Sequence, residues 1–191
     1  MASKSTPFRA NQKWRHRRLN AKRIFSASLG SLIGISIIAY LSTITGRGFL
    51  IPPLGASCFI AFVIPDSAFA RPQNIIGGHL LASTIGIIFF HVLGADWWSL
   101  TLAVSATVAI MQILRISHPP AASDPLLLMM QESVSLDILS TVLGGSIILS
   151  LIAVLFNNLI TQHRYYRIIL LIISKLYTDN AKRFSLVTKF S

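Results

Sequence analysis

The chain has 191 residues, 53% apolar and 12% charged, with a formal net charge of +11. That charged share is about half of what a water-soluble globular domain uses, so water is not the solvent for most of the surface. A single cysteine, Cys58, lies in an apolar stretch, which excludes a disulfide framework and a cysteine metal cluster.

No acidic residue occurs in the first 65 positions, while Lys4, Arg9, Lys13, Arg15, Arg17, Arg18, Lys22 and Arg23 crowd the N-terminus around Trp14. Beside a first apolar span this is the positive-inside signature of a cytoplasmic tail, residues 1–23. An RNA-binding arm has a similar composition, but the positive-inside reading is preferred and no nucleic-acid partner is expected. A transit peptide is similarly basic and Arg17-Arg18 resembles a twin-arginine signal, yet neither is followed by a convincing processing site.

A helix crossing a hydrocarbon core of roughly 30 Å needs about 20 apolar residues. Four runs meet that length: 24–45, 75–94, 97–116 and 136–160, with Tyr40, Trp97 and Trp98 at interfacial positions. Two further runs, 54–64 and 121–131, are too short, and each is introduced by a double proline, Pro52-Pro53 and Pro119-Pro120. Proline suits only the first turn of a helix. The extended residues ahead of each pair, 48–53 and 117–120, supply the missing length, so each run is expected to be a broken crossing, half extended and half helical. Bare backbone at that depth requires burial in protein or a wet cavity.

The tail at 161–191 is also basic, through Arg164, Arg167, Lys175, Lys182, Arg183 and Lys189, and its apolar run at 168–173 suits an interfacial helix. Both termini are therefore expected in the cytoplasm of a cell with the domain in its inner membrane, which demands an even number of crossings; six is favoured over four.

Shifting the chain against itself by 67 residues superposes the two proline pairs and brings Gly77-Gly78 onto Gly144-Gly145 without a gap. Ser83 then falls on Ser150, Ile85 on Ile152 and Phe89 on Phe156. Two three-crossing units, about 24–94 and 97–160, would have an odd number of crossings each and so be inserted in opposite senses. The expected fold is thus all-α, a polytopic membrane bundle of two inverted repeats with short proline-led half-helices, the plan of secondary transporters.

In that plan the half-helix N-termini meet near the midplane and present unpaired N–H groups and two positive dipole ends, favouring an anion. Candidate substrate-binding residues are Pro53, Gly55, Ala56 and Ser57 on the first segment, and His118, Pro120, Ala121, Ala122 and Ser123 on the second. Small side chains let a ligand reach the backbone, and the two serines add hydroxyl donors. His118 either donates to the anion, carries a coupling proton, or caps its half-helix. Accessory candidates are Arg47 and Arg115, which either draw anions into the vestibules or merely snorkel; His79, in the site or bonded to a neighbouring carbonyl near a membrane end; and Asp124, expected mainly to cap the second half-helix and otherwise to accept a proton. Asn74 is expected to cap the third span, and the glycine pairs, with Gly30 and Gly34, to allow close helix packing. No metal spacing, phosphate loop or nucleophile elbow is present, so no metal, cofactor or enzyme activity is expected.

With those residues in hand, the chain resembles the HPP family of integral membrane proteins. The likeness rests on Pro53-Leu54-Gly55-Ala56-Ser57, then the stretch from Ala70 to His79, then His118-Pro119-Pro120, in that order, and covers about residues 24–160. Where members commonly continue HPP-A-G-A, this chain has Ala121-Ala122-Ser123-Asp124. The resemblance implies a small multi-pass membrane domain, and some plastid and cyanobacterial members are associated with nitrite transport. Some relatives carry a regulatory nucleotide-binding domain after the membrane part, where this chain continues with its basic tail. The expected function is therefore a transporter or channel for a small monovalent anion, nitrite first, with a non-transporting scaffold or accessory subunit as the alternative. The expected partners are the lipid bilayer, a small inorganic anion and, as a prior for so small a protein, further copies of the chain.

Overall fold

The computed structural model describes residues 20–131 and 136–161. The basic N-terminal arm up to residue 19, Glu132, and the basic tail from 162 with its apolar run at 168–173 lie outside the described residues, while Lys22 and Arg23 belong to the first helix. Among the described residues there are helices and turns and no strand. In chain order they are α1 (Ala21–Thr45), α2 (Pro52–Val63), a 3-10 turn (Ala68–Ala70), α3 (Pro72–Leu93), α4 (Trp97–Ile113), a 3-10 turn (Pro119–Ser123), α5 (Asp124–Met129) and α6 (Leu136–Phe156), which runs on into a π turn (Asn157–Thr161). Three are long and apolar enough to cross a membrane: α1, α3, and α6 with its π turn. Their outward faces carry Phe25, Leu32, Tyr40, Val92 and Leu151, large apolar side chains that belong against lipid.

Local chemistry sets the boundaries. Asn20 accepts a hydrogen bond from the Lys22 amide at 3.0 Å to cap α1, and Gly46, at φ 67°, ends it in the left-handed conformation. Prolines open α2 and α3, where their missing N–H is no loss. The expected long span at 97–116 is shorter than the sequence suggests: α4 has 17 residues, because Arg115 turns left-handed at φ 58° and the Ile116 amide bonds back to Met111. The second proline-led run is not one half-helix either. Pro125 interrupts it, since proline lacks an N–H and crowds the carbonyl four residues back, so a five-residue 3-10 turn precedes a six-residue α5.

At the centre α3 packs on α6; α1 covers α2 and α6, while α4 covers α3 and α5. Two apolar clusters fill the flanks. Ile38, Leu54, Phe62, Leu149 and Phe156 make one, with the Phe62 and Phe156 rings edge to face at 5.5 Å, and Ile85, Ala103 and Met129 anchor the other. Gly30 and Gly34 admit the Phe62 ring: a Cβ on Gly30 would stand 2.5 Å from Phe62 Cδ1.

The glycine pairs seat the extended linkers. A Cβ on Gly144 would come within 2.8 Å of Phe49, and one on Gly145 would collide with Leu54; one on Gly78 would lie 2.8 Å from His118 Cβ and 3.5 Å from Ala121, and one on Gly77 3.5 Å from Ile116. Further along, Gly86 faces Pro125 and Leu128, and Asn157 donates to the Ala61 carbonyl at 3.0 Å. Segment 119–129 therefore runs alongside α3 in the same direction, and α2 runs alongside α6 in the same direction. Helix ends gather in two groups. Arg47 Nη1 reaches Ser140 Oγ at 3.0 Å at one end, while Asn74 Nδ2 bonds the Ala68 carbonyl at 2.9 Å and the Ser117 carbonyl at 3.4 Å at the other. Asn74 is therefore not the cap of α3: it stitches the α2–α3 connection to the linker after α4.

Candidate functional site

Four polar side chains from three segments converge in the interior, each without solvent exposure: Ser57 of α2, His79 of α3, and His118 and Asp124 of the second proline-led segment. Each is delivered by a local device. Ser57 stands one turn beyond Pro53, with its Oγ 3.0 Å from the Pro53 carbonyl. His79 follows Gly78, whose bare Cα lets the 118–121 backbone settle on α3 at the imidazole's level. Asp124 is the first residue of α5, where the 3-10 turn hands over to the α-helix.

They form a continuous hydrogen-bonded chain. Asp124 Oδ2 lies 2.7 Å from His79 Nδ1 and accepts from Ser83 Oγ at 3.3 Å. His79 Nε2 lies 3.0 Å from Ser57 Oγ, and the same oxygen lies 2.8 Å from His118 Nε2. His118 Nδ1 donates to the Phe69 carbonyl at 2.8 Å, and the two imidazoles stand with ring centres 5.2 Å apart. Asp124 Oδ1 is buried with no hydrogen-bond partner among the described residues. Ionisable groups are costly inside a bilayer-embedded bundle and are tolerated there when paired, as His79 and Asp124 are.

Several expected roles change. Asp124 stands in the first turn of α5, as expected, but its carboxylate bonds His79 and Ser83 of α3 and no amide of its own helix; His118 occupies the cap position of the 3-10 turn, with its ring nitrogens bonded to Phe69 and Ser57. Of the two readings left open for His79, the structure shows the one inside the cluster: its ring bonds Ser57 and Asp124, not a neighbouring carbonyl. Pro53, Pro120 and Ala121 are buried beside it, and Ala122 and Ser123 are half-buried, with Ser123 Oγ donating to the Pro120 carbonyl at 2.7 Å. Gly55 and Ala56 face outward, and a Cβ on Gly55 would meet nothing within 4 Å, so neither opens backbone to the chain. Arg47 and Arg115 are exposed and stand apart from it. Ser83 was legible as the residue one turn after His79; the Phe69 carbonyl had no signal in the sequence.

Ser57, His79 and Asp124 have the residue types and bond order of an acyl-transfer triad, but Ser57 Oγ also bonds a second imidazole and a carbonyl and is closed to solvent. Ser57 Oγ is thus held by three partners inside the bundle. Among the described residues, no group of three His, Cys, Asp or Glu side chains is placed to hold a metal ion. A groove of about 1170 Å³ lies elsewhere, between the start of α1, the end of α2 and the π turn, lined by Lys22, Arg23, Phe59, Phe62 and Ile160.

A bundle of apolar helices with a paired acid and two imidazoles in its interior defines a multi-pass helical membrane protein. Residues 16–166 match the family described as HPP, transmembrane region, and the chain belongs to that family. It is similar to two transmembrane proteins of Dictyostelium discoideum, one 28% identical over 148 residues, covering 73% of this chain and 52% of the relative, the other 29% identical over 149 residues, covering 72% and 48%. The chain thus spans about half the length of the curated relatives it matches. No solved structure matches it.

Proposed function

We propose that this domain moves a small monovalent anion across its membrane, as a carrier or channel, with nitrite the first candidate. The observation that carries the reading is the buried chain from Asp124 to His118, built where two proline-led segments meet inside the bundle. A chain of this kind is expensive in hydrocarbon, and intramembrane ionisable groups mark ion pathways more often than packing. Two imidazoles and a hydroxyl are donors that an anion accepts from, and family membership supports transport as the class. Binding would engage Ser57, His79 and His118, with Pro53, Pro120 and Ala121 shaping the walls; Arg47 and Arg115, at opposite ends, would draw anions inward.

The two halves are read as inverted repeats. In support, positions 67 apart pack reciprocally: Gly77 and Gly78 of the first half against Ile116 and Ala121 of the second, Gly144 and Gly145 of the second against Phe49 and Leu54 of the first. Each short segment runs parallel to the long helix of the other half. Six crossings in a cell inner membrane, with both termini cytoplasmic, follow from that reading, and assembly into an oligomer would bury the apolar outer faces.

Reconstituted protein in liposomes tests the function. Nitrite uptake above empty vesicles is expected for the wild type and a large loss for Ser57→Ala and His118→Ala. Absence of flux for nitrite, nitrate, formate and chloride alike would overturn it and leave the non-transporting scaffold.

A further inference from the structure

We propose that the chain Asp124–His79–Ser57–His118 is a proton-binding site holding one exchangeable proton, and that this proton is the ion coupled to anion movement. The coupling rests on the transport reading; the proton site itself rests on a count of hydrogens.

The count starts from the one end whose polarity is fixed. The Phe69 carbonyl can only accept, so His118 Nδ1 carries a hydrogen, and a neutral His118 has a bare Nε2 facing Ser57 Oγ. Ser57 then shares its one hydrogen between His118 Nε2 at 2.8 Å and the Pro53 carbonyl at 3.0 Å, and its oxygen must accept from His79 Nε2, which therefore carries a hydrogen. One further hydrogen is needed between His79 Nδ1 and Asp124 Oδ2 at 2.7 Å. With it, every bond along the path from Asp124 to Phe69 has a hydrogen, the one between Ser57 and His118 being shared with the Pro53 carbonyl, and the pair is either imidazolium and carboxylate or imidazole and carboxylic acid. Without it, His79 keeps its Nδ1 hydrogen for Asp124, and two bare Nε2 atoms face the single hydroxyl hydrogen of Ser57. One of the two Ser57–imidazole bonds is then lost, so the proton decides whether α2 is tied to both α3 and the second segment or to only one of them.

The proton can also travel. If Asp124 gives its hydrogen to His79 Nδ1, His79 Nε2 gives one to Ser57 Oγ and Ser57 gives its own to His118 Nε2. The result is an Asp124 carboxylate, a neutral His79, an intact Ser57 hydroxyl and a His118 imidazolium, with every bond still filled and no hydrogen gained or lost. Asp124 Oδ1, buried and without a partner among the described residues, is the oxygen that meets an incoming donor at the other end.

Few other charges bear on the chain. α2 contributes the buried Cys58 thiol; α4 carries no titratable side chain between Trp97 and Ile113; α6 offers Ser146 and Ser150, with its Asp137 exposed near its start; the α2–α3 connection has Asp66 and Arg71, both exposed. The chain is therefore neutral when loaded and carries one net negative charge when empty. An empty chain repels an anion in low dielectric, whereas a loaded one admits it, so proton and anion move together.

Two experiments separate the proton site from the transport reading. In full-length protein labelled with nitrogen-15 at histidine, the His79 and His118 resonances are expected to move together in one shared pH step. Ser57→Ala should split them into independent steps, and Asp124→Asn should displace the His79 step, while His91→Gln, an exposed change at the end of α3, should alter neither. Independent titration in the wild type, an unmoved pair, or indifference to Asp124→Asn would overturn the site. In liposomes, an acid exterior should drive nitrite accumulation in the wild type, and Asp124→Asn should abolish the dependence of nitrite uptake on the pH gradient. That dependence retained by Asp124→Asn overturns the coupling. Absence of anion flux in the wild type overturns both the transport reading and the coupling, and leaves the resonances to decide the proton site.

Discussion

Ser57 Oγ lies 2.8 Å from His118 Nε2, so a hydroxyl in the second turn of α2 is bonded to the residue that opens the second proline-led segment, 61 positions later. Neither residue could reach the other if its run began as an ordinary full-length helix. The double prolines stop the α-helical ladder, and the glycines of α3 and α6 let the extended linkers settle onto helix backbone.

Removal of that hydroxyl leaves two imidazole nitrogens facing a methyl group. Ser57→Ala is expected to cost about 1–2 kcal/mol, as for other buried hydrogen bonds from which one partner is removed. Thermal unfolding in detergent should therefore show a lower midpoint; an unchanged midpoint would mean the hydroxyl is not committed to both rings.

Adjacent glycines should respond in opposite ways. Gly78→Ala forces a Cβ to 2.8 Å from His118 Cβ and should destabilise by about 1–3 kcal/mol, whereas Gly77→Ala meets its nearest atom at an ordinary 3.5 Å and should gain up to about 1 kcal/mol of helix propensity. Equal unfolding midpoints for the two variants would contradict the seating of segment 118–121 on α3.

Arg115 pays for the early end of α4 with a left-handed backbone at φ 58°. Arg115→Gly should raise stability by about 1 kcal/mol by removing the Cβ clash, and Arg115→Ala should not. A midpoint that falls in Arg115→Gly would assign the side chain a stabilising contact.

Alternation of element directions gives a topology test. In a Cys58→Ser background, cysteines placed at Arg47 and at Asp66 should be labelled by a membrane-impermeant maleimide from opposite faces. Labelling of both from one face would remove α2 as a crossing.

Much of the bundle is readable in the sequence. Apolar length located α1, α3 and α6, the proline pairs located both broken segments, and a shift of 67 found the glycines that seat them. The early stop of α4 was missed because a left-handed arginine leaves no compositional mark. The split of the second short run was missed because Pro125 was read within an apolar run, although its own chemistry forbids a continuous helix through it.

Composition, hydropathy and proline placement by themselves determined that this chain lives in a bilayer as a helical bundle with two interrupted segments, since those are one-dimensional consequences of desolvation and of a missing N–H. Tertiary structure alone decided that His79 and Asp124 belong with Ser57 and His118, and that Gly55 and Ala56 do not. The partners are 22 to 61 positions apart, and only the packing of α3 between two short segments brings their nitrogens and oxygens within hydrogen-bonding distance.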